Sequence, residues 1–582
     1  MVNRTPQSIT DEKSFFRAPT HPRQRQYEAL RAYIVEGVPS AEAARRFGYQ
    51  PSSFRILCWR FRHHMDRDFF RDIAHGPQSQ PRKDAVRERI VALRKRNFSV
   101  YDIGDELERS GPQRLSATAI QEVLRDQGFA RLPRRREEER PDRPHPTADA
   151  IADVRKFSLA ERSFTTHAGG VFLLLPLFAQ FQLDTLVARC PFPGSQMIPA
   201  AHAVRSALLL KMLGKSRRRH VMDLVFDQGL ALAAGLNAVP KATYMAQYSS
   251  RLGRRAIAQL LGTWVEVLRQ EKLIDASSFN LDFHSISYFG DDPFVEKHYV
   301  PRRSQRRKAV LTFFAQDAEG QVFCYSHADL RKGEEADEVL RFVEFWRQKY
   351  GQTPRHLVFD SKLTTYEKLS QLDQMGIAFI TLRRRSPALM AEVATLPRSA
   401  WQTVALDIPH RKFKTPSVVD QRVNLKGYQG VLRQVLVRDL GHDQPAILLT
   451  NDQHSRIKPI LTRYARRMLV ENGLSDAVDF FHLDALSSAV ALNVDFDVLL
   501  TVIASGIYRM FARRLRGYER AQARQIFRRF LDTSARVTVS KQEITVQLPR
   551  RAHHPLLIDA GLIASTTKIP WWNGRSLRIV IA

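Results

Sequence analysis

Three acidic residues draw attention because of the segments that carry them. Asp282 lies in "SFNLDFHSI", Asp360 ends "RHLVFDS", and Glu471 sits in the arginine-rich run "RYARRMLVENG". Tyr464, Arg467 and Glu471 follow an i, i+3, i+7 spacing, which predicts one shared helical face. Taken singly, each acid has a bland reading. Aspartates end strands as turn formers, and a Glu–Arg pair on a helix is commonly a surface ion pair. Together they suggest a different chemistry. Hard divalent cations, Mg2+ or Mn2+, take oxygen ligands and retain waters. Two such ions about 4 Å apart can activate a water or a 3′-hydroxyl and stabilise the leaving oxygen of a phosphodiester. Asp282, Asp360 and Glu471 are therefore the candidate catalytic metal ligands. Arg467 would grip a neighbouring phosphate and Tyr464 would hydrogen-bond to one.

The elements needed to position these acids can be read from hydrophobic period. "SFNLDFHSI" alternates, setting Phe279, Leu281 and Phe283 against Asn280, Asp282 and His284, so a strand with one buried face is expected. "KAVLTFFAQ" and "QVFCYSH" read as two more strands around the turn "DAEG". Helix "EADEVLRFVEFWRQKYG", strand "RHLVFDS", helix "YEKLSQLDQMG" and strand "IAFITL" follow. A three-strand meander followed by helix–strand–helix–strand is the order of a ribonuclease H-like α/β core, predicted over 276–392 and 451–515. Between its two parts, "VALDIPHRKF", "QRVNLKGY" and "GVLRQVLVRDL" predict a β-rich insertion at 393–450. Residues 151–275 read as helical. Residues 516–582 hold three strand-like runs, "VTVS", "EITVQL" and "LRIVIA", with no evident role.

Residues 1–75 predict a helix-turn-helix. "QRQYEALRAYIVEG" puts Tyr27, Leu30, Tyr33 and Ile34 on one stripe, and Ser40 is expected to cap "AEAARRFG". "PSSFRILCWRFRHH" turns Phe54, Leu57, Cys58 and Phe61 inward and leaves Ser52, Ser53, Arg55, Arg60 and Arg62 exposed. Such a helix can enter the major groove. Residues 82–130 repeat the layout, with Ser99 and Ser116 at N-cap positions. Ile90, Leu93, Ile103, Leu107, Ile120 and Leu124 form its expected core, and Ser116, Thr118 and Gln121 would face DNA. The charged, proline-bearing stretch 131–150 reads as a linker. A plain three-helix bundle is the alternative for the first module.

Composition favours the nucleic-acid reading. Among 582 residues, 90 Lys+Arg stand against 60 Asp+Glu, leaving a net charge of +30. Such an excess points to a polyanionic partner, here double-stranded DNA, through counterion release. "PRRSQRRK", with Arg302, Arg303, Arg306 and Arg307, is expected to border the acids and hold DNA, against the alternative of a solvated loop. The most apolar run, "VFLLLPLFAQF", is too short to span a bilayer. The start "MVNRTPQSIT" has no apolar core of a signal peptide. Cys58, Cys190 and Cys324 show no metal-site spacing, which suits a reducing cytoplasm.

With these residues in view, the chain resembles bacterial insertion-sequence transposases of the DDE class, cut-and-paste type. Within that class it resembles the branch with a Tyr-(2)-Arg-(3)-Glu-(6)-Lys signature. "YARRMLVE" matches the first three terms at Tyr464, Arg467 and Glu471, while "LDFHSI" and "LVFDSKLTTYEKLSQLDQMGIAFITLRRR" match the aspartate segments. The resemblance covers about residues 200–515. Where the signature has lysine, this chain has Val478. The family's β-rich insertion precedes its glutamate, and here 111 positions separate Asp360 from Glu471. The resemblance implies binding of inverted terminal repeats, metal-dependent strand cleavage and strand transfer, a nucleoid-associated location and a homodimer in the active complex. It implies no membrane and no small-molecule substrate. Trp401 is the counterpart it offers for an aromatic that receives a flipped base, although a core role suits a tryptophan as well. Two other readings share the residues: a transposase-derived DNA-binding regulator that no longer cuts, and a metal-dependent nuclease without strand transfer.

Overall fold

The computed structural model describes residues 12–64, 81–111, 115–130, 132, 150–214, 218–288, 295–300, 305–361, 364–406, 414–440, 444–483 and 491–582. The chain is mixed α/β and divides into two compact units, Met1–Pro144 and His145–Ala582.

The first unit contains two small helical cores. Helices Pro22–Ile34, Ser40–Arg46 and Pro51–His63 close over Leu30, Ala43, Phe47, Phe54, Leu57 and Cys58. Ile34 leaves the expected stripe and is exposed, while Ala29 and Ala32 are buried. Small residues, rather than a run of large ones, bring this helix against its neighbours. Ser40 is not the expected cap. Pro39 occupies that position, and Ser40 is the first helical residue with no side-chain capping bond. The second core joins Arg87–Lys95, Val100–Ser110 and Ala117–Asp126 over Ile90, Leu93, Ile103, Leu107, Ile120 and Leu124, the set its periodicity predicts. Here the caps form as expected. Ser99 and Asp102 make a reciprocal capping box, and Ser116 accepts from the Ala119 N–H.

The second unit is built on a ten-stranded sheet. Its strands are β1 (Ser278–Ser287), β2 (Lys297–Val300), β3 (Gln305–Asp317), β4 (Phe323–Leu330), β5 (His356–Val358), β6 (Ala378–Leu382), β7 (Gln402–Thr403), β8 (Ser417–Val423), β9 (Leu432–Arg438) and β10 (Ala446–Thr450). The order is β2-β3-β1-β5-β6-β10-β9-β8-β7, with β4 also paired to β3. β1 runs antiparallel to β3 and parallel to β5, and β5 runs parallel to β6. The meander and the later strands thus meet with β1 between β3 and β5, and the helices Glu335–Tyr350 and Tyr366–Gln374 stand where their apolar periods place them. The insertion forms no separate sheet. Its last strand, β10, pairs with β6 and carries the sheet outward, while its apolar residues gather in their own clusters around Leu406, Val435 and Leu448, and around Leu389, Leu436 and Ile447.

The segment expected to be wholly helical, 151–275, contains one strand. Arg162–Thr166 pairs with Ala535–Val539 and forms the edge of a second, five-stranded sheet completed by Glu543–Leu548, Ser576–Ile581 and Thr566–Lys568. The three strand-like runs after 516 therefore fold with the beginning of their own unit. A single apolar core continues from this sheet through the helices to β1, β3 and β4. Residues Val498–Phe511 lie within the helix Ala491–Arg513, which is tied to the helix Ala200–Met212 by Lys211 Nζ–Asp497 Oδ2 at 2.6 Å. Among the described residues, no helix is long and apolar enough to cross a membrane.

Gly170 marks the closest approach in this closure. A Cβ there would stand 2.0 Å from the Leu531 carbonyl oxygen. Backbone cannot swing aside as a side chain can, so Gly170→Ala is expected to destabilise the unit by about 1–3 kcal/mol or more. A lowered thermal midpoint of the second unit, with that of the first unit unchanged, is the measurement.

Candidate active site

The two aspartates are made neighbours by strand register. Ser278, Phe279 and Asn280 pair in parallel with His356, Leu357 and Val358. Two residues further on each chain, Asp282 and Asp360 come level, on strands spaced about 4.8 Å apart. Asp282 Oδ1 accepts the Phe283 N–H at 2.9 Å. Asp360 lies just past β5, and its Oδ1 accepts the Ser361 N–H at 2.6 Å and the Ser361 hydroxyl at 3.2 Å. Asn280, expected on an open face, is fully buried. The reason is a cover: its Nδ2 donates to the Arg466 carbonyl at 3.5 Å.

That cover carries Glu471. The continuous helix expected through 463–473 is two helices, Ile457–Ala465 and Met468–Asp479. The junction is tightened by i→i−3 bonds from Arg467 to Tyr464, Leu469 to Arg466 and Val470 to Arg467. The expected trio still meets. Arg467 Nη2 donates to Glu471 Oε1 at 2.6 Å, and its guanidinium carbon lies 6.0 Å from the Tyr464 ring centroid. Arg467 also reaches inward, with Nη1 at 3.6 Å from Asp282 Oδ2. Gln316 Nε2 donates to the Leu469 carbonyl at 3.2 Å. Gly473 allows close packing beside it, since a Cβ there would stand 2.8 Å from Gln316 Nε2 and 3.0 Å from Phe323.

The electrostatics follow from this packing. Burial pushes the Asp282 carboxyl up to about 6; Arg467 and the Phe283 N–H oppose the rise, and Glu471 and Asp360 add to it. Burial works against the Arg467 charge, but Asp282, Tyr464, Glu471 and Asp360 outweigh it and hold the guanidinium proton more firmly than usual. Burial likewise raises the Tyr464 hydroxyl, which Arg467 partly offsets. All five side chains thus feel one another.

Among the described residues, no group of three or more His, Cys, Asp or Glu side chains is arranged to cage a metal ion. Magnesium does not require such a cage, being held through one or two carboxylates and its own waters. The donor set is compatible with that mode, since the candidate ligating atoms on Asp282, Asp360 and Glu471 are all carboxylate oxygens.

The other expected site residues are more scattered. Ser52, Arg55 and Arg60 are exposed on Pro51–His63, as are Thr118 and Gln121 on Ala117–Asp126. Ser116 is exposed as well, but its hydroxyl is used as a cap. Ile56 and Trp59 share the exposed part of Pro51–His63, Trp59 stacked on His63 at 4.2 Å; their apolar character hid them from a reading based on polarity. Arg302 and Arg303 lie outside the described residues. Arg306 and Arg307 pair with Tyr299 and His298. They lie seven to eight residues along β3 from Phe314, the partner of Asp282, so roughly 25 Å of strand separates them from the acids they were expected to border. Val478 is buried in the inner face of its helix, where a lysine could not reach a phosphate. Trp401 packs on the Leu389–Val393 cluster with the Arg438 guanidinium 4.0 Å from its ring centroid. Asn280, Gln316 and Gly473 support the site without any signal in their own sequence neighbourhood.

No family model matches the chain, and a search of curated proteins found no significant relative.

Two outcomes follow from this geometry. Gly473→Val should lift the Glu471 helix from the sheet and weaken any divalent-ion binding by about tenfold or more, read by calorimetric titration of Mn2+. The second concerns pH. Because Asp282 has its folded value raised to about 6, the stability it contributes is full below its unfolded value, near 4, and is lost as pH rises through 6. In chelator at pH 7.5, Asp282→Asn should therefore be as stable as the wild type or more so, by about 1–3 kcal/mol. The gap in thermal midpoint should fall to about half by pH 5 and close below about pH 4.

Proposed function

We propose that this chain is a DNA transposase of the DDE type, which binds the inverted terminal repeats of a mobile element, cuts its ends and joins them to target DNA. The observation that supports the reading is Arg467 between Asp282 and Glu471, with Asp360 near enough to act electrostatically on both Asp282 and Arg467. The strand order β4-β3-β1-β5-β6, with only β3 reversed against β1, β5 and β6, supports a ribonuclease H-like core. The two three-helix cores of the first unit support tandem helix-turn-helix modules that read terminal repeats through Ser52, Arg55, Arg60, Thr118 and Gln121.

Asp282, Asp360 and Glu471 would hold two Mg2+ or Mn2+ ions, which would supply Lewis-acid stabilisation of the reacting phosphate and activation of water. Arg467, whose donors lie at Asp282 and Glu471, would donate to a non-bridging phosphate oxygen. Tyr464, packed on Val358, Ile380 and Ile460, fixes the Arg467 side and keeps bulk water from the aspartates. Each end is cut by water, and the freed 3′-hydroxyl then attacks a target phosphodiester, exchanging one P–O bond for another. Handling two ends together requires at least two copies of the chain.

A second reading, a DNA-binding regulator that no longer cuts, draws on two observations. Arg467 already occupies the space between two acids, and Val478 supplies no phosphate contact. The deciding experiment incubates the wild type, Asp282→Asn, Asp360→Asn and Glu471→Gln with Mg2+ or Mn2+ and DNA containing the sequences that flank the coding region. Strand scission by the wild type, reduced about 10²–10³-fold or more in each variant, is expected. Equal cutting by all four removes the proposed site, and footprinting without any scission establishes the regulator.

A further inference from the structure

Further along the same strand from Asp282 lies a depression to which the reading above assigns no role. It has a volume of 470 Å³ and is lined from the first turn of β1, the start of β5 and the helix Ile457–Ala465, with Ser278, Arg355, Lys458, Thr462, Arg463 and Arg466 contributing. Arg466 is paired with Glu319 at 2.6 Å. Arg355, Lys458 and Arg463 meet no carboxylate among the described residues. Glu319, the one acid in the described wall, is taken by Arg466, so three of the four cations of the hollow are left without an ion-pair partner among the described residues. The hydroxyl of Ser278 is shielded from solvent and has no hydrogen-bond partner. The imidazole of His356, in the same wall, is depressed by burial and then by Arg463 and Arg355, in keeping with a positive local field.

The chemistry of the walls restricts the ligand. Planar guanidinium groups, an ammonium and hydroxyl donors suit phosphate oxygens. No phenylalanine, tyrosine or tryptophan lines the pocket, and its one ring is the partly buried imidazole of His356, so the walls offer charge far more than stacking surface. The ligand is recognised by its charge and not by its base.

The location narrows the source. Ser278 precedes Asp282 by four residues on the same strand, which places the pocket about 13 Å from the acids. At a rise of about 3.4 Å per nucleotide, that distance corresponds to roughly four nucleotides of one strand. Arg466, at the rim, directly precedes Arg467, which engages the acids.

We propose that this pocket is a backbone-phosphate site for the DNA strand that enters the acid cluster, holding phosphates a few nucleotides from the one that is cut and so fixing where along the strand the cut falls. This rests on the transposase reading only for its reference to a cut.

The test uses the full chain in chelator, where no cleavage occurs. Affinity for an end-containing duplex is measured by fluorescence anisotropy between about 50 and 200 mM salt for three proteins. These are the wild type, the pocket variant Arg355→Ala/Lys458→Ala/Arg463→Ala, and a control of equal charge loss, Arg536→Ala/Lys541→Ala/Lys568→Ala, on the second sheet. The slope of log affinity against log salt should become shallower by about 2–3 in the pocket variant, at ~0.9 per lost phosphate contact, and by less than about 1 in the control. Lys458→Gln alone, at an exposed position, should lower it by about 1 and guards against misfolding of the triple variant. Equal slopes in pocket variant and control overturn the proposal. So does thermal stabilisation of the wild type, but not of the pocket variant, by pyrophosphate when the DNA slope is unchanged; that result assigns the pocket to a free polyphosphate. A slope change in a protein that never cuts DNA keeps the pocket and removes the transposase reading. Cutting with an unchanged slope does the reverse.

Discussion

The molecule is organised around an electrostatic conflict. Register brings Asp360, just past the end of β5, towards Asp282 on β1. Burial makes the Asp282 carboxyl hard to ionise, and Glu471 and Asp360 add smaller repulsions, so it is raised. Arg467 is the internal remedy, and reaching both Asp282 and Glu471 constrains the chain around it. The covering helix must sit low on the sheet, which requires a glycine at 473, and its backbone must be held by the buried amides of Asn280 and Gln316. A single guanidinium carries one positive charge against three carboxylates. Arg467 therefore balances only part of the acidic charge gathered around it.

How much of this was legible in the sequence depended on the range of the interaction. Strands β1, β3, β4, β5 and β6 declare themselves by alternation, and the capping box at Ser99 and Asp102 by residues three apart. Both are local. The strand Arg162–Thr166 was hidden because its partner, Ala535–Val539, lies at the other end of the unit. The break at Arg466–Arg467 was hidden for a related reason. Every residue of "YARRMLVE" tolerates a helix, and the junction coincides with the point where Asn280 takes hold of the Arg466 carbonyl. Local propensity fixed the type of element there, and a side chain from a distant strand fixed its shape.

The site residues divide along the same line. The acids, Arg467 and Tyr464 could be found because their types and spacings suggest chemistry. Asn280, Gln316 and Gly473 could not, since an amide or a glycine acquires meaning only from what the fold brings against it. Arg306 and Arg307 erred in the opposite direction. A basic run near the first aspartate in sequence is carried away from it by the length of β3, because extended chain moves by more than 3 Å per residue. Proximity in sequence is a poor guide to proximity in space when the intervening element is a strand.

The insertion shows how the two halves of the site are kept in step. Leu448, Leu449 and Thr450 of β10 pair with Leu382, Thr381 and Ile380 of β6, and the Arg383 N–H extends the ladder to the Ile447 carbonyl. The helix Ile457–Ala465 begins shortly after that strand ends. Its start, and with it the height of Arg467 and Glu471 over the aspartates, is thus set by the register of β10 on β6. Pairing of this kind admits no small adjustment: a slip of one residue would turn Leu449, now wholly buried in the main core, to the opposite face of the sheet. The same slip would displace the following helix by about 3 Å, enough to part Arg467 from Asp282. The long segment between Asp360 and Glu471 thus rejoins the sheet at β10 before the helices carrying Arg463 and Glu471 begin.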